Sequence, residues 1–315
     1  MQTTVSLRNE LRAFYERANR FVEEHLDESS LAHDVEFEAS NHLYRVWVQT
    51  GTVDEHVDEL LALCDVQHDD GGWGDRRDDP KSRMRQTAFA TQMLMRAWRA
   101  RPEERFLASI ERGLDHIVGR QHEDGHWEDD RWHLLDATSV SVGTLIFAAN
   151  EPRTATDERR RALDRGMEFV HAQRYPDGLW YHKPKGSPVE ITAHFLQKLV
   201  PYGSPKEMVG HAMEGVLERQ HPEGHWDKQD VDSTCDAARA LMLGASTELG
   251  RDLRPEVEEA SERGLAWLLA VEQDGGFGSR PWHPPKVLYT CDVVDTALKY
   301  EIFHDDPDRL VTYYR

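Results

Sequence analysis

Apolar and polar positions along this chain alternate between two kinds of segment. One kind is amphipathic at helical spacing: Arg263-Gly264-Leu265-Ala266-Trp267-Leu268-Leu269-Ala270-Val271-Glu272-Gln273 is the clearest, and Arg112–Gln121 and Arg165–Gln173 echo it. The other kind is apolar nearly all round, which marks a helix buried on most sides. Leu145-Ile146-Phe147-Ala148-Ala149 and Ala237-Ala238-Arg239-Ala240-Leu241-Met242-Leu243 are of this kind, with Arg239 the one charge in the second. The pattern predicts apolar helices over Thr87–Trp98, Asp136–Asn150, Val189–Leu199, Asp232–Leu243 and Asp292–Phe303. Further helical patterns run over roughly 5–27, 36–50 and 54–66. No period-two alternation competes, so no strand is expected.

The junctions between the two kinds repeat. Five share a Gln, an acidic residue with Gly, and an aromatic: QHDDGGW at 67–73, QHEDGHW at 121–127, QRYPDGLW at 173–180, QHPEGHW at 220–226 and QDGGF at 273–277. The aromatic-to-aromatic steps are 54, 53, 46 and 51 residues, a period that suits a two-helix unit. Gly supplies the positive φ needed to leave the amphipathic helix. An acidic residue or Thr at the next start is expected to cap it. About twelve helices result, or six hairpins, and a matching helix at each end favours a closed ring over an open solenoid. The expected fold is therefore all-α, an (α/α)6 barrel with 1–315 as one domain. Residues 1–50 would close the ring, and 304–315 would form a surface tail whose aromatics dock on the barrel.

An Arg/Lys-Gly pair, an aromatic, aliphatics, then Gln and Gly-x-Trp resembles the QW repeat of squalene–hopene and oxidosqualene cyclases. Those enzymes belong to the terpene cyclase and protein prenyltransferase superfamily, and the resemblance covers roughly residues 50–303. It implies a barrel in which Gln and Trp tie the outer helices together. His68, His122 and His221, directly after the Gln, then read as scaffold rather than metal ligands. So does the Thr that recurs at the apolar helix starts, in Arg85-Gln86-Thr87, Asp136-Ala137-Thr138, Glu190-Ile191-Thr192, Asp232-Ser233-Thr234 and Val294-Asp295-Thr296.

In a closed ring those starts face the mouth of a central cavity. One of them carries more acid than a cap requires, Asp230-Val231-Asp232-Ser233-Thr234-Cys235-Asp236. It resembles the Asp-x-Asp-Asp-Thr-Ala segment of squalene–hopene and class II diterpene cyclases. It is also similar to the Val-Asp-Cys-Thr-Ala-Glu segment of oxidosqualene cyclases. The resemblance implies cyclisation of an isoprenoid begun by protonation, with Asp232 as general acid and Asp230 and Asp236 tuning it. Ser233 departs from the first pattern, which has Asp there. Protonating an alkene needs an acid that keeps its proton in a dry pocket, through desolvation and nearby like charge. The carbocation that follows needs apolar, aromatic walls, each ring face adding about 0.5–2 kcal/mol. Phe89, Trp98, Phe147, Phe195, Tyr289 and Tyr300 on the apolar helices are the candidates for substrate contact.

Alternatives come from the same residues. A non-catalytic isoprenoid-binding or subunit protein of this fold needs no acid. A zinc-dependent prenyltransferase-like protein would hold Zn²⁺ with Asp232, Cys235, Cys291 and His283, although Tyr289 stands at that family's His position. It would also require a partner subunit. A carbohydrate lyase or hydrolase on such a barrel would use paired carboxylates. No cofactor is favoured for the cyclase reading. Mg²⁺ would enter with a diphosphate substrate, and Asp34, Glu36 and Glu38 are the candidate ligands. Squalene cyclases use two barrels, so a second subunit covering the cavity is a further expectation.

Composition narrows these classes. Lys plus Arg is 38 against 58 Asp plus Glu, a net charge of −20. That argues against phosphate-neutralising contact with nucleic acid and against anionic lipid. No run approaches the ~20 apolar residues of a bilayer span, and the charged first twenty residues do not read as a secretory signal. Three cysteines are too few for a disulfide framework. A cytoplasmic protein is expected, with loose membrane association at most. The acidity is spread along the chain and Arg exceeds Lys, a pattern that resembles proteins of salt-accumulating haloarchaea.

Overall fold

The computed structural model describes residues 2–25, 53–75, 79–183 and 186–315. Twelve α-helices lie among them: α1 (Gln2–Glu24), α2 (Val57–Asp65), α3 (Met84–Ala100), α4 (Glu104–Gly119), α5 (Leu134–Ala149), α6 (Asp157–Ala172), α7 (Val189–Tyr202), α8 (Lys206–Leu217), α9 (Val231–Ala245), α10 (Arg254–Ala270), α11 (Val287–Asp305) and α12 (Pro307–Tyr313). No strand occurs among the described residues. The helix expected over 36–50, and with it Asp34, Glu36 and Glu38, lies outside them.

The chain divides into two compact units, Asp27–Gln173 and Met1–Leu26 with Arg174–Arg315. In the first, α3 packs beside α5, α4 against α3 and α6 against α5. The division of labour follows the sequence pattern. α6 buries Arg159, Ala162, Leu163, Gly166, Met167 and Val170, one stripe at three- and four-residue spacing. α5 is buried along most of its length. In the second unit α9 packs between α7 and α11, with α8 against α7 and α10 against α9. α1 lies against α11 and α10. There the Arg17 guanidinium makes two 2.6 Å bonds to Glu272, and Phe14 meets Phe277 edge-on at 5.7 Å. Residues 307–313 are helical and pack over the end of α11. Leu310 is buried, and the Tyr313 and Tyr314 rings lie 4.5 and 4.9 Å from Lys299 Nζ.

The first, second and fourth junctions share the same Gln Nε2 and indole bonds. Gln220 Nε2 donates to the Gly224 and Ala260 carbonyls, both at 2.8 Å, and its Oε1 accepts from Arg263 at 2.5 Å. Trp226 is fully buried, its indole N–H donating to the Val216 carbonyl at 2.8 Å. Gln121 and Trp127 repeat this on Gly125, Ala162 and Ile117. The glycines are spatially necessary. Gly125 has φ +98°, and a Cβ there would sit 2.3 Å from the Arg165 carbonyl oxygen. On the facing helix a Cβ on Gly166 would come within 2.9 Å of the Trp127 ring. The Arg-Gly pair is thus the surface on which the turn rests.

The recurring Thr does something other than cap. Its hydroxyl accepts the backbone N–H of the turn aromatic: Thr87 from Trp73 at 3.0 Å, Thr138 from Trp127, Thr192 from Trp180 and Thr234 from Trp226 at 3.1 Å. In the fifth junction the partner of Phe277 is Thr290 at 3.0 Å, not Thr296 as the sequence pattern had it. α11 accordingly starts at Val287, five residues before the predicted Asp292. Of the residues preceding these five helices, only His133 and Asp230 cap with a side chain.

Candidate functional site

The first turn of α9 carries the acidic segment, and the chain entering it is bent hard. Asp227, Lys228 and Gln229 have φ of 44°, 53° and 64°, three successive left-handed residues without a glycine. Each costs roughly 1–2 kcal/mol. Neighbours hold the bend. Arg280 donates to the Lys228 carbonyl at 2.6 Å, Ser187 bonds the Asp227 carboxylate, and the Gln229 N–H donates to His225 Nδ1 at 3.3 Å. The bend delivers Asp230 to the N-cap, where its carboxylate accepts the Ser233 N–H at 3.0 Å and pairs with Arg280 at 3.2 Å. Asp232 follows in the first turn, half-buried.

Asp236, one turn further on, is buried and fully engaged. His194 Nε2 lies 2.7 Å from one oxygen, while Arg239 at 2.7 Å and Gln197 at 3.3 Å reach the other. Burial alone would raise its pKa, but the charges of His194 and Arg239 hold it well below the usual carboxylate range. It is an anion. Arg239 is itself the hub of a buried network. Burial weakens its hold on a proton, yet Asp292, Asp236 and Asp295 around it reverse that and raise its pKa. It bonds Asp292 and lies 3.3 Å from Asp295, which Lys299 meets at 2.6 Å. Three carboxylates thus face Arg239 and Lys299, with His194 as a third basic group.

The zinc set is not brought together. Three groups of histidine and carboxylate among the described residues have donor atoms within 4.8 Å of one another, and none contains Asp232, Cys235, Cys291 or His283. Cys235 and Cys291 are buried thiols whose pKa is raised by burial first and by Asp292 second. Neither is a ready thiolate ligand. His283 is exposed, its Nδ1 2.7 Å from the Ser279 hydroxyl.

The six aromatic candidates stand in different surroundings. Phe89 is buried with the Arg85 guanidinium 5.2 Å from its ring centre. Phe147, near the end of α5, lies under Arg96 at 4.6 Å. Phe195 packs on Trp180 at 5.5 Å, and the Tyr300 hydroxyl donates to Glu262 on α10 at 3.2 Å. Trp98 and Tyr289 are half-buried, the latter in the first turn of α11.

Sequence reasoning passed over Asp227. Burial raises its pKa, and the charge of Asp230 adds to that. It lines a cleft of about 780 Å³ with Ser187, His221, His225, Lys228 and Trp282, the last 64% exposed. Nothing in the residue pattern signals this cleft, because the bend that shapes it contains no glycine.

The architecture is that of the all-α, (α/α)6 toroid class. A type II terpene cyclase, MstE from Scytonema, superposes with a TM-score of 0.70 over 94% of this chain and 99% of its own, at 14% identity. A glycosyl hydrolase of family 88 from Bacteroides vulgatus superposes with a TM-score of 0.68 over 94% and 99%, at 12% identity. Fold alone therefore does not separate terpene from sugar chemistry. Sequence similarity is narrower. Labda-7,13-dienyl diphosphate synthase of Streptomyces clavuligerus is 29% identical over 44% of this chain and 25% of its own length. Ent-copalyl diphosphate synthase of Streptomyces sp. strain KO-3988 is 27% identical over 49% and 30%. The matched stretch thus spans less than a third of either relative. No protein-family model matches the chain. The chain thus shares a stretch of sequence similarity with two diterpenoid diphosphate synthases and its fold with MstE and the family 88 hydrolase. MstE has also been solved with geranylgeranyl dihydroxybenzoate as substrate.

Proposed function

We propose that the protein is a class II-type isoprenoid cyclase in which Asp232 protonates the substrate. The observation that carries this reading is the state of the two flanking acids. Asp236 is held as an anion by His194 and Arg239, and Asp230 is committed to its cap and to Arg280. Neither is suited to give up a proton, so the donor role falls to Asp232, one helical turn before Asp236 on α9. The anion at Asp236 opposes ionisation of Asp232, while the α9 N-terminus favours it. An apolar substrate that expels water tips the balance toward the protonated acid. Transfer to an alkene carbon then leaves an Asp232 carboxylate and a carbocation. Tyr289 is retained as a wall residue because it shares the helix-start position. The diterpenoid diphosphate synthases among the sequence relatives support an isoprenoid of that class.

The test is a product assay in molar KCl with squalene, oxidosqualene and geranylgeranyl diphosphate, read by gas chromatography–mass spectrometry. Wild type is expected to yield a cyclic isomer of one substrate, or its hydrate. Asp232→Asn is expected to lose at least about 10²-fold. A variant that keeps wild-type turnover would sink the assignment.

The 780 Å³ cleft favours a second reading. Its exposed Trp282 and polar walls suit a sugar, and Asp227, with its raised pKa, close in sequence to Asp230 offers a general acid beside a carboxylate. Release of reducing ends from a polysaccharide panel, lost in Asp227→Asn, would establish that activity instead.

A further inference from the structure

The scaffold reading of His122 accounts for its backbone but not for its ring. In the second junction the His122 N–H donates to the His126 carbonyl at 2.9 Å, which sets both side chains on one side of the turn. The two imidazoles stack at 4.3 Å with an 11° tilt. Glu128 lies beyond them, its oxygens 3.7 Å from His122 Nε2 and 3.5 Å from His126 Nε2. A tetrahedral Zn²⁺ with Zn–N and Zn–O near 2.0–2.1 Å needs ligand atoms about 3.4 Å apart. The far side of His126 is prepared as well. Its Nδ1 is 2.5 Å from Asp124 Oδ1, so Nδ1–H donates to the carboxylate and the Nε2 lone pair faces Glu128. That is the carboxylate–histidine arrangement by which proteins orient a metal-bound imidazole.

The fourth junction is an internal control. His221 and His225 stack in the same way, at 4.4 Å and 10°, with Glu223 within 3.7 Å of each. But His225 Nδ1 accepts the Gln229 N–H at 3.3 Å, which places the neutral ring's proton on Nε2. His221 Nδ1, the nitrogen facing Glu223, already accepts that residue's own N–H at 3.3 Å. The nitrogens that would bind are occupied. The first junction has a single His, His68, bonded to Ser82 at 2.9 Å.

We infer that His122, His126 and Glu128, oriented by Asp124, form a divalent transition-metal site of the Zn²⁺ class. Two imidazoles and one carboxylate match that ion's preferences and leave a fourth position open. His122 and Glu128 border a cavity of about 180 Å³ that also meets Lys81, Arg83 and Arg120, which gives the fourth ligand, water or an anion, its space. The metal would also clamp the segment after the turn. Asp129 accepts the Arg85 N–H at 3.2 Å, and Asp130 pairs with Lys81 and Arg83, so this segment holds the start of α3. The site is independent of the proposed cyclase chemistry.

The experiment uses the full chain, stripped with chelator and titrated with Co²⁺ and then Zn²⁺. One equivalent of Co²⁺ is expected to give the visible absorption of a tetrahedral site, and Zn²⁺ to displace it. His126→Gln and Glu128→Gln should each weaken binding at least about 10-fold, and Asp124→Asn by roughly 10–100-fold. His225→Gln should leave affinity and stoichiometry unchanged. Circular dichroism of the metal-free variants keeps loss of binding distinct from loss of fold. No saturable binding by wild type, unchanged affinity in His126→Gln, or loss in His225→Gln would each overturn the assignment.

Discussion

At the scale of single residues, the decisive group is Arg239. It sits in a helix whose other central residues are apolar, and it has three buried carboxylates around it. Breaking a buried pair by removing one partner typically costs about 3–5 kcal/mol, because the remaining charge is stranded. Arg239→Met is therefore expected to destabilise the protein by at least that much in urea unfolding. Asp232→Asn is a milder change. It alters a first-turn charge whose interaction with the helix dipole is about 0.3–1 kcal/mol. A stability change within that range would let loss of activity in this variant be read as chemistry. The protonation states also set an acid limit. Burial, the main influence on His116, lowers its pKa, and the backbone bond to the Asp70 carbonyl at 2.9 Å does not reverse that. A group with a depressed folded pKa stabilises fully above its unfolded value and loses that contribution as pH falls. For His116 the loss begins below about pH 6.5, and for Asp236 below about pH 3.9. Melting temperature measured against pH should therefore fall in two stages.

At the scale of elements, the Thr hydroxyls carry much of the register. Thr234 accepts the Trp226 N–H and donates to the Asp230 carbonyl at 2.6 Å. Thr234→Val keeps the shape and orphans a buried donor, which costs about 1–3 kcal/mol. Thr234→Ser should recover most of it, and thermal denaturation of the pair is the check. The helices and their pairing were legible in the residue pattern, since a turn of Gln, Gly and Trp between an amphipathic and an apolar segment admits few folds. The register of the last unit was not. The step from turn aromatic to anchoring Thr is 14, 11, 12, 8 and 13 residues, and α11 holds two Thr-containing stretches of similar character, ending at Thr290 and Thr296. Only the Phe277 bond distinguishes them. For the candidate site, the acids of α9 were visible as a cluster. The cations that neutralise Asp236 come from other turns and another helix, and the non-glycine bend at 227–229 carried no sequence signal at all.

At the scale of the whole molecule, the net charge of −20 opposes compaction. Salt relieves it, as the Debye length falls from ~10 Å at 0.1 M to ~3 Å at 1 M. Raising KCl from 0.1 to about 2 M is expected to increase the melting temperature, and a flat or falling curve would argue against salt adaptation. No helix among the described residues is long and apolar enough to cross a membrane. Because each anchoring Thr is fixed to its own turn, the residue two places before it has a constant address. Those addresses hold Arg85, Asp136, Glu190, Asp232 and Leu288, a base, three acids and a hydrocarbon. A single codon change there rewrites chemistry while leaving the anchoring bonds alone. A lineage built on such repeats can gain, move or lose a proton donor without refolding, and unlike activities can share one frame.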